Sequence, residues 1–135
     1  MKKWLLGLLT AVVLVFGLSA VTTANAASWH KGTPSSLRGR YMYQHKGHAR
    51  GQDWYSIGKS SYTFTPTGTS ASKTTGVKYE KIGKYYRLKG TIHAYGRKFS
   101  DDKVFYKKGS KLKAVSYSQY KNSHFSKDKY TFNKR

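Results

Sequence analysis

Basic residues recur in two stretches in the second half of the chain, residues 78–89 and 103–113, and tyrosines lie within and beside these stretches. Ammonium and guanidinium groups bind phosphates and carboxylates, and tyrosine rings offer flat faces on which sugars or bases can stack. We expect these residues to lie on the outward phase of strands as a polyanion-binding surface; the simpler alternative is an ordinary solvated surface. The predicted cationic residues are Lys78, Lys81, Lys84, Arg87, Lys89, Lys107, Lys108, Lys111 and Lys113. The predicted aromatic platform consists of Tyr85, Tyr95, Tyr106 and Tyr117.

The residues that catalysis or metal binding would need are scarce. The chain has five carboxylates and five histidines but no cysteine. Asp101 and Asp102 are the only adjacent carboxylates, and on a strand they would point to opposite faces. His45 and His48 are closely spaced, but such basic surroundings would repel a divalent cation. The sequence therefore predicts a protein that is not an enzyme and holds no metal ion or cofactor, while a serine and a histidine brought together by the fold stay an open alternative.

The charge balance points to anionic partners. The chain has 135 residues, with 26 Lys and Arg against five Asp and Glu, and a formal net charge of +21. A chain of this length forms one small domain, which excludes a multidomain enzyme. Because so many like charges repel one another, we expect bound or nearby anions to offset them.

The first 26 residues have the pattern of a signal peptide. Lys2 and Lys3 precede a nearly continuous apolar run over residues 4–21, and Ala24-Asn25-Ala26 provides a small-x-small cleavage site. The absence of cysteine excludes a lipid anchor at that site. We therefore expect cleavage after Ala26 and export of the remainder, which keeps all five acidic residues and loses two of the basic ones.

The rest of the chain favours strands. Aromatic residues outnumber aliphatic ones after residue 26, and apolar and polar residues alternate along residues 86–94. The sequence predicts an N-terminal segment over residues 27–37, with a helical turn at Pro34–Leu37 capped by Thr33, and one all-β domain over 38–135. Eight short antiparallel strands would form a small up-and-down barrel or half-barrel, with an immunoglobulin-like sandwich as the rival. We expect a loop at 69–75 and no helix beyond the turn. The predicted strands are 38–45, 52–58, 61–66, 75–82, 85–95, 98–107, 111–120 and 128–133.

The stretch Trp29-His30-Lys31-Gly32-Thr33-Pro34-Ser35-Ser36-Leu37-Arg38-Gly39-Arg40-Tyr41 resembles the opening of small secreted cationic proteins of lactic-acid bacteria. Gly39-x-Tyr41 also looks like the start of a calycin (lipocalin-like) barrel, where an aromatic residue closes one end. That resemblance implies that Gly39 and Tyr41 close the barrel and that Lys134 or Arg135 packs nearby. Residues 79–86 are similar in composition to basic wall-anchoring repeats of bacterial surface-layer proteins.

Taken together, these features predict a secreted or cell-wall-associated cationic protein that binds anionic envelope polymers, either teichoic acid or acidic polysaccharide. We expect a monomer with no membrane span after signal cleavage and no specific nucleic-acid partner, because export separates it from nucleic acid and no nucleic-acid-binding motif is present. Two alternatives stay open: a calycin-like carrier of a small ligand in the barrel interior, and a cationic antimicrobial protein.

Overall fold

The computed structural model describes residues 29–47 and 51–135, so the predicted signal peptide lies outside the described residues. More than half of the described residues lie in strands, as the alternating pattern predicts. The strands are β1 (His30–Lys31), β2 (Gly39–Gln44), β3 (Gln52–Ile57), β4 (Tyr62–Thr65), β5 (Ser72–Ile82), β6 (Tyr85–Ala94), β7 (Arg97–Lys108), β8 (Lys111–Ser116) and β9 (Phe132–Lys134); a 3₁₀ turn spans Ser35–Leu37 and one helix, α1, spans Tyr117–Ser123.

Strands β2 to β9 form a closed, antiparallel, up-and-down barrel. Each strand pairs with the next along the chain, and β9 pairs with β2 to complete the ring. The predicted all-β barrel is confirmed in its closed form, which excludes the half-barrel and the sandwich. One additional short strand, β1, is not part of this ring and pairs with β5, with His30 opposite Tyr79.

The barrel has two different ends. The closed end carries the β3–β4, β5–β6 and β7–β8 turns and the 3₁₀ turn, whose Leu37 is fully buried. The opposite end, the mouth, carries the β2–β3, β4–β5 and β6–β7 connections and the segment that joins α1 to β9. Alternating inward positions fill the interior between the two ends with large side chains. This core consists of Leu37, Tyr41, Tyr55, Ile57, Tyr62, Val77, Leu88, Phe105, Leu112 and Phe132.

Gly39 and Tyr41 lie at the closed end, where the calycin resemblance places them. Tyr41 is fully buried, and its hydroxyl donates a 2.8 Å hydrogen bond to the backbone oxygen of Leu37. Gly39 has a φ of +138°, and a Cβ there would lie 2.9 Å from Cε of Lys134, the strand partner of Tyr41. Glycine therefore admits the Lys134 side chain to this end of the barrel.

Three local predictions are wrong. Residues 117–123 form a helix rather than the end of a strand, because Ser116 caps it by accepting a 3.1 Å hydrogen bond from the backbone N–H of Gln119. Thr33 does not cap the 3₁₀ turn; its hydroxyl instead hydrogen bonds to the backbone oxygen of Gly58. The predicted loop at 69–75 is shorter, since β5 begins at Ser72 and pairs there with β4.

Candidate anion-binding site

Two clefts flank the turn between β7 and β8. The first, which we call the end cleft, opens at the closed end and has a volume of about 460 Å³. The second, the side groove, has a volume of about 320 Å³. Six of the nine predicted cationic residues line these two clefts. The end cleft is lined by Ser36, Lys81, Lys84, Tyr86, Lys107 and Gly109, and the side groove by Tyr106, Lys108, Lys111, Lys113, Thr131 and Asn133.

The strand register decides which cleft each lysine enters. Lys81 is the partner of Tyr86, which packs against the core, and Lys107 is the partner of the buried Leu112. Partners in a sheet share a face, so both lysines occupy the inward phase of their strands. The expectation that all the cationic residues face outward is therefore wrong for Lys81 and Lys107. At a strand end the inward phase meets solvent, which is why a charged residue fits there.

Aromatic rings and one carbonyl position the lysines of the end cleft. The ammonium of Lys107 donates a 2.8 Å hydrogen bond to the backbone oxygen of Ser36. The ammonium of Lys84 lies 5.6 Å from the ring centroid of Tyr85 and 5.4 Å from that of Tyr106. Such cation–π contacts hold a cation in place without neutralising it. No carboxylate is among the described residues that line either cleft, so the lysines are left to attract anions, apart from Lys113, whose ammonium lies 3.8 Å from Asp128.

The remaining three predicted cationic residues form a separate group on the outer face, which we call the outer patch. The side chains of Lys78, Arg87 and Lys89 lie 5.4–5.6 Å from the ring of Trp29. Arg87 is largely committed within the protein, since it makes hydrogen bonds of 2.9 and 2.8 Å to Asp102. These bonds raise the pKa of the guanidinium. Arg87 is therefore a structural residue, and Lys78 and Lys89 are the cations that this patch offers.

The four predicted platform tyrosines do not share one surface. Tyr85 and Tyr106 have ring centroids 5.3 Å apart and pack against Phe125, in the segment after α1. Tyr117 lies under Arg87, with the guanidinium 3.4 Å from its ring centroid. Tyr95 is 77% exposed on the β6–β7 turn, at the mouth. The outer aromatic residues thus mainly pack α1 onto the barrel, and the face of Tyr106 in the side groove is the part that is open to a ligand.

Sequence reasoning missed three residues of these surfaces. Trp29 and Ser36 lie in the N-terminal segment, and their roles depend on that segment crossing the barrel. Tyr86 begins the alternating run 86–94 on its apolar phase, which predicts a core position, yet it lines the end cleft. A tryptophan next to basic strand residues is a signal that could have pointed to Trp29, because tryptophan is the best cation–π partner.

The adjacent carboxylates Asp101 and Asp102 line neither cleft. Asp101 points inward to Tyr62 and Lys103, whereas Asp102 points outward to Arg87, so the predicted opposition of these two residues is confirmed. Burial alone would raise the pKa of Asp101, but the charge and hydrogen bond of Lys103, with hydrogen bonds from Tyr62 and Thr74, lower it overall.

The histidine and carboxylate at the β2–β3 connection bond to each other. Nε2 of His45 lies 3.0 Å from Oδ1 of Asp53, while His48 is outside the described residues. Burial favours a higher pKa for Asp53, but hydrogen bonds from Thr67 and His45 lower it overall. No group of three or more metal-ligating side chains is found within residues 29–47 and 51–135.

Comparisons of the chain with protein-family models, with curated proteins and with solved structures give no match. No helix in the part of the chain that the structure describes is long and apolar enough to cross a membrane.

Proposed function

We propose that this protein is an exported binding module that attaches to anionic polymers of the cell envelope through the end cleft and the side groove. The observation that carries the proposal is the cluster of six lysines around the β7–β8 turn, with no carboxylate among the described lining residues. A groove lined by one sign of charge concentrates counterions and attracts polymers of the opposite sign.

The two clefts fit a polymer better than a single small anion. Lys107 and Lys108 are consecutive, and their side chains enter different clefts. A chain with repeated phosphates or carboxylates could therefore cross the turn and meet both sets of lysines. Lys108 and Lys111 face each other across the hairpin. Like charges at opposed strand positions destabilise a sheet, and a bound anion would remove that repulsion.

A binding role is favoured over a catalytic one. Adjacent carboxylates could supply acid and base groups, but Asp101 and Asp102 point to opposite faces and are both paired with cations. The proposed partners are teichoic acid and acidic polysaccharide, because export, as the signal-peptide pattern predicts, would bring the protein to those polymers. The proposed location of the protein is outside the cell or on the cell wall.

The test is a titration of purified teichoic acid with three proteins at several salt concentrations. The cleft variant is Lys81→Gln, Lys84→Gln and Lys107→Gln together. The matched control replaces three exposed lysines of the other half of the barrel, Lys73, Lys98 and Lys127, with Gln, so that the net charge changes equally.

We expect the cleft variant to bind more weakly and its logarithmic salt slope to fall by about 2, if each lysine meets one phosphate. The control should keep most of the slope of the unmodified protein. Equal losses in the two variants would show that net charge alone binds the polymer, and would contradict the proposal. A variant at Lys78 and Lys89 measures the share of the outer patch in the same assay.

A further inference from the structure

The mouth of the barrel holds a third cavity, whose lining differs from that of the two basic clefts. Its volume is about 310 Å³, at the lower end of the range of small-molecule sites, which runs from ~300 to ~1,000 Å³. Two of the five carboxylates of the chain lie in its wall, in a protein that is strongly cationic overall. The cavity is lined by Asp53, Tyr55, Phe64, Ala114, Asp128, Tyr130 and Phe132.

Asp128 presents a buried acceptor to this cavity. Only 7% of its side chain is exposed, and Oδ2 accepts no hydrogen bond from the described residues. The nearest cation, the ammonium of Lys113, is 3.8 Å from Oδ2 and donates instead to the backbone oxygen of Asp128, at 3.2 Å. A buried carboxylate oxygen without a donor is costly, so a ligand that donates to it would bind favourably.

Three inward-facing carboxylates, Asp53, Asp101 and Asp128, differ in how far their oxygens are already hydrogen bonded within the protein. Asp53 already accepts hydrogen bonds from the backbone N–H and the hydroxyl of Thr67, and it contacts His45. Asp101 lies deeper and is satisfied by Tyr62, Thr74 and Lys103. Asp128 is therefore the carboxylate that can anchor a ligand, while Asp53 places a second carboxylate in the same wall.

Aromatic rings make up the rest of the wall. The ring of Tyr55 lies 4.8 Å from that of Phe64 and 5.0 Å from that of Phe132, and the ring of Tyr43 lies 5.0 Å from that of Tyr130. Ring faces attract cations and also pack against apolar groups. Below them, Tyr62, Leu88 and Phe105 are almost completely buried, so the cavity is a shallow site at the mouth and does not run through the barrel.

From this arrangement we infer that the mouth binds a small organic cation, a primary ammonium attached to an apolar or aromatic body. The ammonium donates a hydrogen bond to Oδ2 of Asp128, and the body lies against Tyr55, Phe64 and Phe132. The cavity lies at the mouth and adjoins the side groove at Lys113, which lines the groove and contacts Asp128. The inference does not depend on polymer binding.

The test is a titration of the protein, in the form that its host produces, with 2-phenylethylammonium, monitored by NMR. The neutral comparison ligand is 2-phenylethanol, which has the same aromatic body. We expect the ammonium to bind at least about tenfold more tightly than the alcohol, because both can donate a hydrogen bond to the carboxylate but only the ammonium adds a full positive charge. The shifts should concentrate at the mouth. Equal affinities for the two ligands would overturn the inference.

Two variants locate the contact. Asp128→Asn should weaken ammonium binding at least about tenfold, whereas the outward-facing control Asp102→Asn should leave it unchanged. Lys113→Met removes the nearest competing ammonium and should strengthen binding, and this readout stands even if the Asn variant does not fold. Unchanged binding in a folded Asp128→Asn protein, or weaker or unchanged binding in Lys113→Met, would contradict the assignment.

Discussion

Asp101 links three parts of the barrel interior through one side chain. Oδ2 accepts hydrogen bonds of 2.5 Å from the hydroxyl of Tyr62 and 2.7 Å from that of Thr74, and Oδ1 lies 2.6 Å from the ammonium of Lys103. Because these groups come from β4, β5 and β7, the carboxylate ties together strands that are not all neighbours in the sheet.

Asp101→Asn should therefore lower the free energy of unfolding by about 3 kcal/mol, since it leaves the partly buried ammonium of Lys103 without its charged partner and offers one acceptor oxygen in place of two. Urea denaturation measures the change. The matched control is Asp102→Asn, which removes a more exposed carboxylate from the adjacent position and should cost about 1 kcal/mol or less. Equal losses at the two positions would contradict the role assigned to Asp101.

Stability should also depend on pH through the same carboxylate. The pKa values of Asp101 and Asp53 are lowered in the folded protein. The stabilisation they provide is complete well above their ordinary pKa of 3.8 and is lost as pH falls through the lowered values. The midpoint of thermal unfolding should change little between about pH 5 and pH 7 and fall below about pH 4. A shallower acid fall is expected for Asp101→Asn, and an identical profile would argue against the Asp101 assignment.

The sheet face on which a single residue lies was predictable where the residue belongs to an alternating strand. The opposite faces of Asp101 and Asp102 follow from alternation alone. The commitment of Arg87 to Asp102 could not be predicted, because the pair joins residues whose register is set only when β6 meets β7. The cation–π contacts of Trp29 could not be predicted for the same reason, since its cationic neighbours come from β5 and β6.

At the scale of elements, the helix α1 is the clearest departure from the sequence prediction. Tyr117 and Tyr120 suit a strand by residue type, but three-residue spacing brings their rings to 6.2 Å on one helix face. The ring of Tyr120 lies 5.3 Å from that of Tyr85, so the helix packs on the outside of the barrel. Residue preferences for strands are weaker than the gain from this packing.

Loss of the helix cap should be measurable. Ser116→Ala removes the acceptor for the N–H of Gln119 and should lower the free energy of unfolding by about 1 kcal/mol. Ser118→Ala, an exposed change inside the same helix, should have an effect near zero or slightly stabilising. Chemical denaturation of both variants tests the assignment. A larger loss at residue 118 than at residue 116 would be inconsistent with this cap.

A second prediction concerns the β7–β8 hairpin, where one substitution should stabilise the fold and weaken polymer binding. Lys108 and Lys111 are opposed across the hairpin, so Lys111→Glu replaces repulsion with attraction. We expect the free energy of unfolding to rise by a few tenths of a kcal/mol, about the value of an exposed pair. Binding to teichoic acid should weaken in the same protein. Unchanged polymer affinity would remove the side groove from the proposed site.

The prediction of the lysine faces failed only at strand ends. In the middle of the barrel strands most inward positions are apolar, as Leu88 and Phe105 show, and the inward Lys103 is paired with Asp101. An outward position is therefore correct for the unpaired lysines there. At the rim an inward side chain reaches water, and Lys81 and Lys107 use that position. Sequence alternation specifies the phase of a residue but not its height along the barrel axis, which depends on where each hairpin turns.

For the whole molecule, the cleft lysines and two of the carboxylates lie at opposite ends of the barrel, although Arg97 and Lys98 also lie at the mouth. The lysines of the clefts surround the turn at the closed end, whereas Asp53 and Asp128 line the mouth cavity. The sequence left a barrel and a half-barrel open, and the pairing of β9 with β2 closes the ring. Only the up-and-down architecture was predictable from the eight predicted strands. The polarity of its two ends was not, because it arises only when inward and outward residues of distant strands meet at the same rim.

The most direct test of the central claim, that the lysine clefts bind envelope polymer, is sedimentation of the protein with purified cell walls across a salt series. One set of walls keeps its teichoic acid and a second set has it removed chemically. We expect the protein to sediment with the walls in a salt-sensitive manner that depends on the teichoic acid. Absence of sedimentation with either set of walls at low salt, where exposed charges are least screened, would contradict that claim.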